Sequence, residues 1–227
     1  MAFFTSDTLD FWRGLARNNS KAWFDEHRKD YEKHLKAPYQ ALAVALCEGL
    51  RADQPEYTLD PKKAIYRINR DTRFSNDKSP YKTELGITIG RSQKHDPDWP
   101  AYTTRLGVNG LAIAGGMYMP STEMRDALRR HIAEEGAGLR AAIDTPAFQD
   151  LFGELGGETH KRPLKDLKEA AEREPLVMNK QWTFWAEHED PEILLEDNLD
   201  EIILDHWDAA RPIAEWFKTA LGELGYS

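Results

Sequence analysis

Residues 102–117 constrain the fold more than any other stretch. Segments 102–108 and 111–117 are strand-length and apolar-rich, and Asn109-Gly110 stands between them. That dipeptide is the preferred two-residue hairpin turn, because both central positions must accept positive φ. The spacing predicts an antiparallel hairpin. Upstream, 84–90 alternates, with Leu85, Ile87 and Ile89 on one face. Residues 64–70 read as a further strand, with Ala64, Tyr66 and Ile68 on one face and Ile65 and Arg67 on the other. These four segments are expected to form one sheet, and residues 182–186 are an additional strand candidate.

Helical periodicity lies on either side of this middle. Thr5 or Ser6 can cap a first helix through Leu9, Phe11, Trp12 and Leu15, and Asn18-Asn19 ends it. Asn19 or Ser20 caps a second, in which Trp23, His27, Tyr31 and Leu35 recur every four residues. They are expected to share a largely buried face, with a kink or restart at Pro38. A helix opens at Pro120-Ser121-Thr122-Glu123, short helices follow at 138–143, 146–151 and 164–173 around a loop at 153–163, and a last one spans 199–224 with a kink near Pro212. Strands in the middle and helices at both ends predict an α+β fold: a mostly antiparallel central sheet with helices from both chain ends packed against it. At 227 residues, 1–227 reads as a single domain.

Composition narrows the function classes. No run reaches membrane-spanning length, and Met1 to Asp7 lacks the basic and apolar regions of a signal peptide. A soluble cytoplasmic protein is the expectation, with no membrane partner. One cysteine, Cys47, excludes an internal disulfide and an all-cysteine zinc site. A net charge of −9 argues against nucleic acid as a partner.

Against that acidic background, residues 62–82 hold seven basic side chains (Lys62, Lys63, Arg67, Arg70, Arg73, Lys78, Lys82) and only Asp71 and Asp77 as acids. A strand, a turn-rich segment and a returning strand would fold these cations into a small volume. They repel one another unless something negative joins them, and arginine suits bidentate contact with carboxylate or phosphate. Three readings follow: an internal salt-bridge network that also draws on the acidic segment 187–208, a small-anion site, or a solvated basic edge. The functional expectation is a small anionic ligand, phosphate or carboxylate, bound by Arg67, Arg70, Arg73, Lys78 and Lys82. Arg28 and Arg125 are second-rank members. Gly115-Gly116 leaves backbone open either to a ligand or to a tight contact inside the fold.

Other chemistry is weakly signalled. There is no Walker lysine, GxGxxG loop or GxSxG elbow. His27 and His34 lie seven residues apart without a metal-site partner pattern, and the loop His95-Asp96-Pro97-Asp98 would need outside ligands. His27 reads as a hydrogen-bonded core residue. No metal and no cofactor are expected. Whether the chain is an enzyme, and its oligomeric state, stay open.

Three blocks resemble a known family. They are Asn18-Asn19 with Trp23-Phe24, His27-Arg28 and Tyr31; Arg67 to Phe74 with Lys78-Ser79-Pro80-Tyr81-Lys82; and Gly115 to Pro120. In order and content they resemble the bacterial family catalogued as domain of unknown function 2461. Lys161-Arg162-Pro163-Leu164-Lys165 is similar to a family Lys-Arg-Pro-Pro-Lys-Gly segment, with Asp166 in place of the glycine and Glu174-Pro175 in place of a later His-Pro. The resemblance implies an α+β fold and marks the three blocks as a shared site. It implies no reaction, since the family has none established.

Overall fold

The computed structural model describes residues 2–73, 76–94, 96 and 98–226. Helices precede and follow a four-stranded antiparallel sheet, an α+β architecture. The strands are β1 (Glu84–Ile89), β2 (Ala101–Gly107), β3 (Gly110–Met117) and β4 (Trp182–His188), in that spatial order. Two compact units share the chain. The first comprises residues 1–93, 103–113 and 187–204, the second 94–102, 114–186 and 205–227.

One expected strand is corrected. Residues 64–70 do not join the sheet as a full strand, and β4 supplies the fourth position instead. Ala64 closes a short helix, α5 (Pro61–Ala64), whose cap Asp60 accepts from the Lys62 N–H. Beyond it only single bridges form, Ile65 to Ile87 and Asn69 to Tyr81. Proline at the first helical position and the Asp60 cap favour helix at 61–64, and the turn chemistry after Arg70 leaves too short an extended run for a ladder. The expected faces hold only in part: Ala64 and Ile68 are buried and Arg67 is exposed, but Ile65 and Tyr66 are both half-buried.

The hairpin is present with its turn one residue early. β2 ends at Gly107 and β3 begins at Gly110, so the turn residues are Val108 and Asn109. Only Gly110 carries positive φ, +110°; Asn109 does not. A Cβ on Gly110 would lie 2.0 Å from the His188 carbonyl oxygen. Glycine is needed there for the approach of β4 as much as for the turn.

In the first unit, helix α1 (Ser6–Arg17) buries Leu9, Phe11, Trp12 and Leu15. A capping box at Thr5 and Thr8 starts it. It ends at Asn18, whose φ of −131° is not left-handed; the side-chain amide stops the helix by donating to the Gly14 carbonyl at 3.0 Å. The second helix is also corrected. It breaks into α2 (Lys21–Glu26), α3 (Arg28–Asp30), a π-helical turn at Tyr31–Lys36 and α4 (Ala37–Asp53). The reason is visible at Pro38. It has no N–H for the His34 carbonyl, and Thr8 Oγ1 donates to that oxygen instead, at 2.6 Å. The breaks rotate the four-residue repeat, so Leu35 is buried while Trp23, His27 and Tyr31 are only half-buried. Cys47 sits buried in α4, and burial pushes its thiol up to about 11.

In the second unit, helix α6 (Thr122–Glu135) starts at Ser121, whose hydroxyl accepts from the Met124 N–H. Helices α7 (Ala137–Ile143), α8 (Pro146–Phe152) and α9 (Lys168–Arg173) follow. The last expected helix divides at Ala210 into α10 (Leu199–Ala209), whose residues up to Leu204 belong to the first unit, and α11 (Arg211–Glu223), because Pro212 falls in the first turn of α11. Trp182, Phe184, Phe148 and Phe217 are buried in this unit, with Phe148 edge-on to Phe184 at 5.9 Å. Among the described residues, no helix is long and apolar enough to cross a membrane.

Candidate functional site

The site is built on the return of the chain from Ile68 to Lys82. Arg70 N–H donates to the Pro80 carbonyl and Lys82 N–H to the Ile68 carbonyl, so 68–70 and 80–82 lie antiparallel. Asn19, at the α1–α2 junction, completes the arrangement. Its side chain accepts from Tyr81 N–H at 3.1 Å and donates to the Tyr81 carbonyl at 2.9 Å, imitating one rung of a β-ladder. The Phe24 ring of α2 stacks on the Tyr81 ring, centroids 4.0 Å apart at 16°. Below the pair, the Tyr39 hydroxyl accepts from Tyr66 N–H at 3.0 Å and donates to the Gly86 carbonyl. Burial holds the Tyr39 phenol far above its ordinary pKa. The first two sequence blocks therefore meet through Asn19, Phe24 and Tyr81.

The cations on this frame divide into two groups. Arg70 pairs with Asp77 at 3.1 Å, while its Nε is buried without a hydrogen-bond partner. Lys82 lies half-buried, its ammonium 5.3 Å from the Tyr66 ring centre. Neither Lys82 nor the exposed Arg67 makes an ion pair among the described residues. Desolvation first, and then the charges of Arg67 and Arg70, push the Lys82 pKa below its ordinary value. Arg67, Arg70 and Lys82 thus form a close group of like charge held together by the backbone.

Arg73 and Lys78 are differently placed. Arg73 is 76% exposed and grips Asp71 with Nε at 3.0 Å and Nη2 at 2.7 Å. That contact holds Asp71 below its ordinary pKa. Lys78 donates to the Thr72 carbonyl at 2.8 Å. Phe74 and Ser75, inside the same block, lie outside the described residues. Arg28 pairs with Asp25 at 2.6 Å and lines an open depression with Asp25, Glu26, Lys29, Glu32 and Lys33. Acids and bases balance there, so it offers no excess of cations. Within the acidic segment, Glu192 pairs with Arg13 and Asp208 with Arg211.

His27 is neither a core residue nor an open base. Its ring stacks on Trp23 at 4.0 Å and its Nδ1 lies 2.9 Å from the Trp23 carbonyl. His95 and Pro97 lie outside the described residues, and no three His, Cys, Asp or Glu side chains come together among the described ones.

Gly115, Gly116 and Arg125 belong to the second unit. A Cβ on Gly115 would meet the Phe184 ring at 2.5 Å, and one on Gly116, at φ +110°, the Trp182 carbonyl oxygen at 2.2 Å. Close packing against β4 accounts for both glycines. The block then exposes Tyr118 and Met119, and Met119 is left-handed at φ 55°. Arg125 is 20% exposed beside Asp126. Asn19, Tyr66 and Tyr81 escape a reading of charges, since they act through backbone bonds and a ring face. A buried arginine on α6 escapes it too, although position 129 falls within the apolar repeat Met124, Leu128, Ile132.

No curated protein matches the chain. One family does, described as "Conserved hypothetical protein (DUF2461)", over residues 7–216, a span that contains all three blocks and the frame that joins two of them. The chain belongs to that family.

Proposed function

We propose that this protein binds a small anionic ligand, carrying phosphate or carboxylate, at Arg67, Arg70 and Lys82, with Arg73 and Lys78 at the rim. The observation that supports it is Lys82: a half-buried ammonium on an aromatic face, beside two arginines, with no ion pair among the described residues and only the more distant charge of Glu84, itself paired with Arg105, opposing the repulsion. An anion seated there would relieve the repulsion and gain charge-assisted hydrogen bonds. The test is calorimetric titration of the full chain with inorganic phosphate and with citrate. Lys82→Met and Arg67→Gln should each weaken binding about tenfold or more, the size of one charge-assisted bond. Unliganded Lys82→Met should melt no lower than wild type, because it removes a repelled charge. Binding should fall only mildly with salt, as for a partly desolvated site.

A second reading has its own support. The Arg70–Asp77 and Arg73–Asp71 pairs suit a structural network in a non-catalytic interaction or scaffold protein. It predicts that Arg70→Ala and Asp77→Ala lower the melting temperature alike, and that neither anion stabilises the wild type.

A further inference from the structure

A second group of cations lies within the second unit and uses none of the residues above. On α6, the Arg129 side chain is 1% exposed. Its Nε donates to the Val177 carbonyl at 2.6 Å and its Nη1 to Asp126 Oδ1 at 3.2 Å, while Nη2 is buried with no partner. One turn earlier, Arg125 leans on the same oxygen: its Nε is 3.8 Å from Asp126 Oδ1, beyond hydrogen-bond reach, and is also buried and unpartnered. His160 is held at the same place by the backbone. Its N–H donates to the Met178 carbonyl, one residue beyond the carbonyl that holds Arg129. Thr159 and Asn179 form a bridge beside it. His160 Nε2 is the third buried nitrogen without a partner.

Nearby carboxylates are committed elsewhere. Glu158 pairs with Lys180, Asp166 with Arg130 and Glu174 with Arg140. Asp126 faces the guanidinium groups of Arg125 and Arg129 and the His160 imidazole, and Asp166, bonded to Arg130, adds a more distant charge to Arg129. Burial, followed by the charges of Arg129, Arg125 and Lys180 and opposed by Asp126, pushes the imidazole below its ordinary pKa. Buried polar atoms without partners are rare in native proteins, and three on side chains anchored by adjacent carbonyls, whose charges act on one another, call for an acceptor. A guanidinium taken out of water needs one most of all.

We propose that Arg125, Arg129 and His160 form a binding site for the phosphate group of a small ligand. A carboxylate offers two oxygens in one plane. Three donors from three side chains on two chain segments suit a tetrahedral group with three free oxygens. A dianion also matches the charge, balancing the surplus arginine and favouring a proton on His160. The Arg125 side chain is 20% exposed and His160 is half-buried, so the group borders solvent although its three unpartnered nitrogens are themselves covered.

The test is NMR of the His160 imidazole in the full chain, titrated at about pH 7 and constant ionic strength with inorganic phosphate and, separately, acetate. The resonances should move saturably with phosphate, and acetate should act far more weakly. Arg125→Gln should raise the phosphate midpoint about 10- to 100-fold, as expected for a lost bond to a charged group. Lys82→Met should leave it unchanged, which separates this site from the one proposed above. Arg129→Met removes the support of Val177 and is open to misfolding. Arg125→Gln is therefore the deciding variant, since that side chain holds no backbone group, and circular dichroism confirms its fold. The proposal is overturned if phosphate to about 50 mM leaves His160 unmoved in the folded wild type. It is equally overturned if Arg125→Gln keeps the wild-type midpoint, if acetate matches phosphate, or if Lys82→Met alone moves the midpoint.

Discussion

At the scale of single residues, Lys82 links electrostatics to stability. Its folded pKa lies below 10.5, the ordinary value it keeps in the unfolded chain. Between the two values the unfolded chain binds more protons, so stability rises with pH there. Below the folded value Lys82 is charged in both states and its penalty is fully present. The stability of wild type relative to Lys82→Met should therefore climb as pH rises through the folded value towards 10.5, measured by urea unfolding. Saturating phosphate should flatten the climb, because a bound anion raises the folded pKa. A flat difference without ligand would mean that the ammonium is as well solvated as in the unfolded chain. Arg73 contrasts with it: paired to Asp71 and largely exposed, it has little to gain from a ligand.

At the scale of elements, the site depends on a junction rather than on a strand. Segment 68–70 meets 80–82 through two backbone bonds, and the Asn19 amide brackets Tyr81. Asn19→Ala would leave a buried N–H and carbonyl of Tyr81 without these partners, at a cost of roughly 1–3 kcal/mol. Urea unfolding should show that loss, and phosphate binding at Lys82 should weaken with it. Asn19→Asp should fare little better, since a carboxylate accepts from the N–H but repels the carbonyl. A change within about 0.5 kcal/mol, the scale of an ordinary surface substitution, would remove Asn19 from the frame. The elements also show how far local pattern reaches. Leu85, Ile87 and Ile89 are buried as their alternation requires, because a strand's faces are set by its own period. The repeat from Trp23 to Leu35 fails, because the helix breaks at His27 and again at the π-helical turn, where Pro38 and the Thr8 hydroxyl decide how the His34 carbonyl is satisfied.

At the scale of the whole molecule, the chain passes repeatedly between its two units, and neither is a continuous segment. Strands β2, β3 and β4 each contribute residues to both. Neither unit can be excised as one piece of chain, so we expect a single cooperative transition on heating, with tryptophan fluorescence and far-UV circular dichroism coinciding. Separate midpoints would establish independent folding units.

The α+β class, the hairpin, all four strand segments of the sheet, 182–186 among them as an additional candidate, and the concentration of cations at 62–82 were legible in the chain itself. They rest on period, turn chemistry and charge, which act between near neighbours. Tertiary structure decided the rest. It made β4 the fourth strand, reduced 64–70 to isolated bridges, and filled the space beside Gly115 and Gly116 with β4. It also separated Arg70 and Arg73, each paired with an aspartate, from Arg67 and Lys82, which make no ion pair among the described residues, and left three nitrogens of Arg125, Arg129 and His160 without partners. The reason is physical. Which donor finds which acceptor depends on groups far apart in sequence, such as Asn19 with Tyr81 and Arg129 with Val177, and only packing brings them within hydrogen-bond distance.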